Sequence, residues 1–163
     1  MGKTVTGRKR RYLLAGVLCA APLMAQAVTN VTVKVTVTAP PCTVNDNKAI
    51  EVNFGDVMTT RVDGTQYRKQ VAYSLSCEGG GGKAMKLQVQ GTAAGFDSGV
   101  LGTSVSALGI RLQNGNSNMP VNSWVNFTYP SKPALWAVPV QKSGVTLAGG
   151  QFSAAATLKV AYQ

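Results

Sequence analysis

Apolar and polar side chains alternate with a period of two over most of this chain. Such alternation sets one face of an extended strand on a core and the other in water. The runs are Val31, Val33, Val35, Val37; Ile50, Val52, Phe54; and Val71, Tyr73, Leu75, Cys77. They continue with Met85, Leu87, Val89; Leu108, Ile110, Leu112; Val125, Phe127, Tyr129; and Phe152, Ala154, Ala156, Leu158, Val160, Tyr162. Turn-forming residues separate them, at Asn45-Asp46-Asn47, Asp63-Gly64, Gly79 to Gly82, Asn114-Gly115 and Gly149-Gly150. No stretch combines a helical apolar stripe with caps. Seven or so short strands in a chain of this size predict an all-β sandwich.

The first 27 residues stand apart from this pattern. Lys3, Arg8, Lys9, Arg10 and Arg11 form a basic head, and an apolar run follows from Tyr12 to Met24. Ala25-Gln26-Ala27 then offers small residues at the two positions a signal peptidase reads. These are the three parts of a secretory leader. The apolar run contains Pro22 and is short for a bilayer span, which argues against an uncleaved anchor. Bulky Leu18 before Cys19 argues against a lipoprotein. Removal of residues 1–27 leaves residues 28–163, the size of one domain.

Export changes the meaning of both charge and cysteine content. Five of the 16 Lys and Arg leave with the leader, so eleven remain against six acidic residues. Those eleven are scattered, apart from Arg68-Lys69, and form no stripe for a nucleic-acid partner. Cys19 also leaves, which turns three cysteines into a pair, Cys42 and Cys77. In an exported chain two cysteines usually join; the alternative is two buried free thiols. Closing a loop of about 35 residues is worth roughly 3.5–4 kcal/mol in the chain-entropy model.

The residues offer little for catalysis. The chain contains no His, which removes the commonest general base and metal ligand. Asp46, Glu51, Asp56, Asp63, Glu78 and Asp97 show no spacing of a metal site or carboxylate pair. Gly79 to Gly82 with Lys83 is similar to a phosphate loop, but Cys77 occupies the first Gly position and Ala84 replaces Ser or Thr. A loop after the disulfide is the plainer reading. Neither an enzyme nor a cofactor is expected. Trp124, Tyr129 and Trp136 could form a sugar-stacking platform, although aromatics of this kind also favour ordinary strand packing.

Two segments do not suit a closed sandwich. The stretch from Val28 to Thr38 is β-branched almost throughout and is cut off by Pro40-Pro41. Its four valines need a partner, because a lone ribbon of this kind left free would aggregate. Each valine buried would contribute about 1.5–3 kcal/mol before ordering costs. The alternative is that this is the first strand of its own sheet. At the other end, an alternating strand runs through Tyr162, where a terminus would fray unless something held it.

In these features the chain resembles the pilin subunits of chaperone–usher fimbriae, especially minor and tip-adaptor subunits of P-pilus type. An alternating arm ends at Pro40-Pro41-Cys42, and a cysteine pair follows at Cys42 and Cys77. Ile50-Glu51-Val52-Asn53-Phe54-Gly55 is similar to the first-strand segment of that family. Gly150 falls fourteenth from the end and Tyr162 next to last, in register with the family's C-terminal motif. The ordered set covers residues 28–163.

The resemblance implies an incomplete immunoglobulin-like sandwich that lacks its last strand and is completed by a donated one. It implies residues 28–39 as the donor arm, with Val31, Val33, Val35 and Val37 inserted into a neighbour, and residues 40–163 as the pilin domain. The accepting groove would run along Gly150, Phe152, Ala154, Ala156, Leu158, Val160 and Tyr162. A periplasmic pilus chaperone would fill it first, and the arm of the next subunit would replace the chaperone at the outer-membrane usher. Main-chain hydrogen bonds then give affinity and alternate side chains fill pockets. Repeated head to tail, this builds a fibre and not a ring. The destination would be a fimbria on the cell surface, with at most an indirect part in adhesion to a host receptor. A minor or adaptor subunit is the first reading and a major repeating subunit the second. A single-domain carbohydrate-binding adhesin stands behind both, and a terminating subunit fits if the groove cannot exchange strands. The arm departs from the family in one respect: Val35 stands near the place where a Gly is usual.

Overall fold

A computed structural model describes residues 41–163. The expected leader, residues 1–27, and the arm bearing Val31, Val33, Val35 and Val37 lie outside the described residues.

Eleven strands carry the fold, with no α-helix among the described residues. The shortest sheet pairs β1 (Cys42–Val44) with β3 (Leu75–Cys77). In its antiparallel register Cys42 lies opposite Cys77, and the two are joined by a disulfide with their Cα atoms 4.2 Å apart. The chain leaves β1 through Asn45, Asp46 and Asn47, all at positive φ. Asn and Asp tolerate that region better than most residues. The Asn45 side-chain amide donates to the carbonyls of Lys48 and Ala49, which holds the turn.

The larger sheet follows the order β2 (Lys69–Gln70), β10 (Leu135–Gln141), β7 (Leu108–Asn114), β6 (Asp97–Gly102), β5 (Ala93–Ala94). The two-residue β8 (Ser117–Asn118) folds back on β7. The smaller sheet places β4 (Ala84–Gly91) between β9 (Trp124–Thr128) and β11 (Ala156–Tyr162). The two sheets share one core. Leu87 and Val89 from β4 pack with Leu101, Ile110, Leu112 and Leu135 from the larger sheet. Gly109 on β7 permits close packing there, since a Cβ would overlap the Val100 side chain.

Tyr73 is buried in this core and its hydroxyl donates to the Pro133 carbonyl at 2.7 Å. Burial pushes its pKa up to about 12, because the phenolate would lose its hydration there. Asp63 is held down at about 2. The Gln66 amide, the Thr65 hydroxyl and the Thr65 amide all donate to its carboxylate and stabilise the charged form.

Several strand expectations change in detail. The run from Val71 to Cys77 is not continuous: β2 ends at Gln70 and only Leu75–Cys77 rejoins a ladder. Ile50, Val52 and Phe54 keep their alternating burial, but residues 48–58 belong to no strand. The last run pairs only from Ala156 onward, so Phe152 and Ala154 precede the ladder. Two of the longer strands had no alternation to announce them. β10 is buried on both faces, with Leu135 and Ala137 in the main core and Val140 in a second cluster with Ala94 and Val100. β6 begins with exposed Asp97 and Ser98 and turns apolar only at Val100 and Leu101.

Candidate functional site

The sandwich is open along one side. A groove of about 1640 Å³ runs between the segment 48–57 and the segment that leads into and through β11. Its first wall is extended chain in which Ile50, Val52, Phe54 and Val57 are half-buried while Glu51, Asn53 and Gly55 are exposed. That is strand periodicity without a strand partner. Its second wall begins at Gly150, whose φ of 143° a side chain would strain. Phe152 follows, half-buried, and then the inward row of β11.

That row continues the alternation of its neighbour. In the β11–β4 register Leu158 faces Val89, Val160 faces Leu87 and Tyr162 faces Met85. All three β11 residues are only half-buried, and Ala154 and Ala156 are exposed. Among the described residues β11 is an edge strand, paired with β4 alone. The walls meet at both ends of the groove. At one end the rings of Phe54 and Phe152 lie 6.0 Å apart. At the other the Tyr162 hydroxyl lies 3.8 Å from Cys42 Sγ. Between them the floor is core: Val71, Leu101, Ile110, Leu112 and Leu135 all line the opening.

Two extended segments, the run 48–57 and the outer edge of β11, therefore flank an apolar trough. An exposed strand edge offers a row of free amides and carbonyls that template a further strand. The trough is larger than the few hundred to about 1000 Å³ usual for a small-molecule site. Its shape suits an extended polypeptide with side chains on alternate positions.

The residues expected along the groove, Gly150, Phe152, Ala154, Ala156, Leu158, Val160 and Tyr162, all lie on this second wall and line the opening or close its end. Sequence reading did not supply the floor, which comes largely from β6, β7 and β10. Gly79–Gly82 is a turn in which the Gly80 amide donates to the Cys77 carbonyl and the Lys83 amide to the Gly80 carbonyl. Trp124 is 43% exposed on β9 with Lys86 over its ring. Trp136 belongs to the other sheet and lies beneath the Arg68 guanidinium, 3.8 Å from the ring centre. The two indoles are thus on different sheets and share no platform. Arg68 is further fixed by bonds to the Gln113 side chain and the Gly115 carbonyl.

Known proteins are similar to this chain in sequence and fold. The uncharacterized fimbrial-like protein YfcR of Escherichia coli strain K12 is 37% identical over 129 residues, which cover 76% of this chain and 74% of that protein. The solved P pilus adaptor subunit PapF is 26% identical with a TM-score of 0.56, covering 77% of this chain and 98% of that one. The solved P pilus rod subunit PapA has a TM-score of 0.63 at 22% identity, covering 76% of this chain and 99% of that one, and shares the fold. The immunoglobulin-like pilin fold is therefore the fold of this chain, and it is a fold of structural subunits. A family model described as fimbrial protein matches residues 30–163. The chain belongs to the fimbrial protein family.

Proposed function

We propose that this protein is a structural subunit of a surface fimbria that polymerises by donor-strand exchange, without enzymatic activity. The observation that carries this reading is the groove, with the extended run 48–57 and the β11 edge as its walls and core residues as its floor. Upstream lies a stretch made to fill such a groove, with Val31, Val33, Val35 and Val37 alternating with polar residues. Residues 1–27 act as the export leader, residues 28–39 as the donor arm and residues 40–163 as the accepting domain. A periplasmic chaperone holds the groove until the outer-membrane usher brings in the arm of the next subunit. The position in the fibre is that of a minor or adaptor subunit, in keeping with the likeness to the adaptor PapF. A major repeating position is the second reading, favoured by the higher TM-score to the rod subunit PapA.

The test is to express residues 39–163 with and without an alternating strand linked after Gln163 and to compare thermal unfolding. Arms of several pilin subunits serve as the added strand alongside a copy of Val28 to Thr38. A domain that folds cooperatively only with an added strand supports the reading. Equal, high stability without one means a complete domain and removes it.

A further inference from the structure

The outer face of the smaller sheet carries an exposed indole among amides and lysines, and we propose that it binds an acidic oligosaccharide. The inference goes beyond the donor-strand reading and does not depend on it. The inward row of β11 borders the groove, whereas this face points the other way, so groove and face can be occupied together.

Strand register sets out the face. Residues paired across neighbouring strands share one side of the sheet, and Leu87 and Val89 mark the core side. Trp124, Gln88 and Lys159 therefore form one outward row across β9, β4 and β11, and Asn126, Lys86 and Ala161 form the next. Trp124 is 43% exposed, and the Lys86 ammonium lies 5.1 Å from its ring centre. The electron-rich face of the ring attracts that cation and keeps it beside the open indole surface. The Gln88 amide donates to the Asn122 carbonyl at 2.5 Å, which fixes this side chain and leaves its oxygen as an acceptor. No acidic residue occurs in β4, β9 or β11; all six of the chain lie on other segments.

This set of groups selects among ligands. The apolar face of a sugar ring packs on an indole, side-chain amides meet its hydroxyls, and an ammonium meets a carboxylate or sulfate. With no carboxylate on the face to oppose Lys86 and Lys159, negative charge is favoured there. The backbones of Trp124 and Lys159 are two strand spacings apart, about 10 Å. A chain of two or more sugar rings reaches both; a single ring does not. A nucleic acid fits less well, because two lysines fall short of the roughly six to ten phosphate contacts such a partner uses. A protein partner needs an apolar centre to its interface. Among the described residues Trp124 is the one exposed large apolar side chain on this face.

The experiment titrates the exported, purified chain with a tetragalacturonate and with a sulfated tetrasaccharide, followed by calorimetry and tryptophan fluorescence. A neutral tetrasaccharide and a polyglutamate peptide of matching charge are the controls. At least one acidic sugar should bind tenfold or more tightly than either control. Trp124→Ala should weaken that binding at least tenfold. Lys86→Gln and Lys159→Gln should each weaken it about two- to fivefold, the size of one exposed ion pair, and flatten its salt dependence. Circular dichroism confirms that each variant is folded, and the lysine variants stand as a separate test if Trp124→Ala does not fold. Failure of both acidic sugars to bind would overturn the proposal, as would binding that these substitutions leave unchanged. Equal binding of polyglutamate would overturn it too, and would mark the face as a docking surface for an acidic protein. None of these outcomes bears on the groove.

Discussion

β4 and β11 are adjacent strands of one sheet, paired over seven residues, with the same alternation and similar side chains. Yet Met85 and Leu87 on β4 are fully buried and Val89 is 8% exposed, while Leu158, Val160 and Tyr162 opposite them are half-exposed. The difference is neighbours. β4 has β9 on its other side, whereas among the described residues β11 has no second hydrogen-bonded strand, meets β1 at Tyr162 and borders the groove. Equal hydrophobicity has therefore bought unequal burial. Burial stabilises by roughly 25 cal/mol per Å² of apolar surface removed from water. Further burial of the β11 row would accordingly add to stability.

The comparison predicts unequal costs for equal truncations. Leu87→Ala should destabilise the domain by about 2–5 kcal/mol, as for other fully buried leucines. Its register partner Val160, truncated to alanine, should cost only about 1 kcal/mol, since part of its surface is already in water. Denaturant unfolding measures both, and equal costs would break the comparison. Adding a donor strand should sharpen it in the other direction by raising the cost of Val160→Ala while leaving that of Leu87→Ala unchanged.

The disulfide should matter next. It ties β1, at the closed end of the groove, to β3, and Cys77 Sγ lies 4.0 Å from the buried Met85 Sδ. Replacing Cys42 and Cys77 together by serine should cost about 3–4 kcal/mol through the loop it closes. The same loss should follow from reduction of the native chain.

Smaller effects separate the closed core from the surface. Tyr73→Phe leaves the buried Pro133 carbonyl without its hydroxyl donor and should cost about 1–3 kcal/mol. Because folding raises the Tyr73 pKa to about 12, the neutral form belongs to the folded state. Stability from this group is full below about pH 10, the ordinary tyrosine value, and is lost as pH rises toward 12. Alkaline denaturation of the phenylalanine variant should lack that step.

Asp63 titrates on the opposite limb and gives the smallest effect. Its carboxylate is fully exposed and is bonded only within its own turn. With the folded value near 2, its contribution is complete above about pH 4, where the unfolded carboxyl ionises, and fades as pH falls toward 2. Asp63→Asn should flatten that part of an acid titration followed by circular dichroism.

Much of this architecture was legible in the residues. The alternation of Met85, Leu87 and Val89 and of Leu158, Val160 and Tyr162 marks their inward faces correctly. The cysteine count outside the expected leader marks the Cys42–Cys77 bond. Asn45-Asp46-Asn47 marks a left-handed turn. β10 was not legible, because a strand covered on both sides by Leu135, Ala137 and Val140 contacts needs no polar alternation, and Pro139 within it reads as a strand breaker. The first wall of the groove was misread in a more instructive way. Ile50, Val52 and Phe54 have the pattern of a paired strand and make no ladder.

Residue order alone fixes which side of each extended segment is apolar, where the chain turns and which two cysteines outside the expected leader can join. Those are local properties, fixed by side-chain period and by the φ preferences of single residues. Only the tertiary structure decided which apolar faces found cover. The pattern on Leu158 and Val160 is the same as that on β4, and nothing in it counts the strands on either side. Pairing is a non-local matter of which backbone edges come together, and among the described residues no third strand lies between the two edges facing each other across the groove.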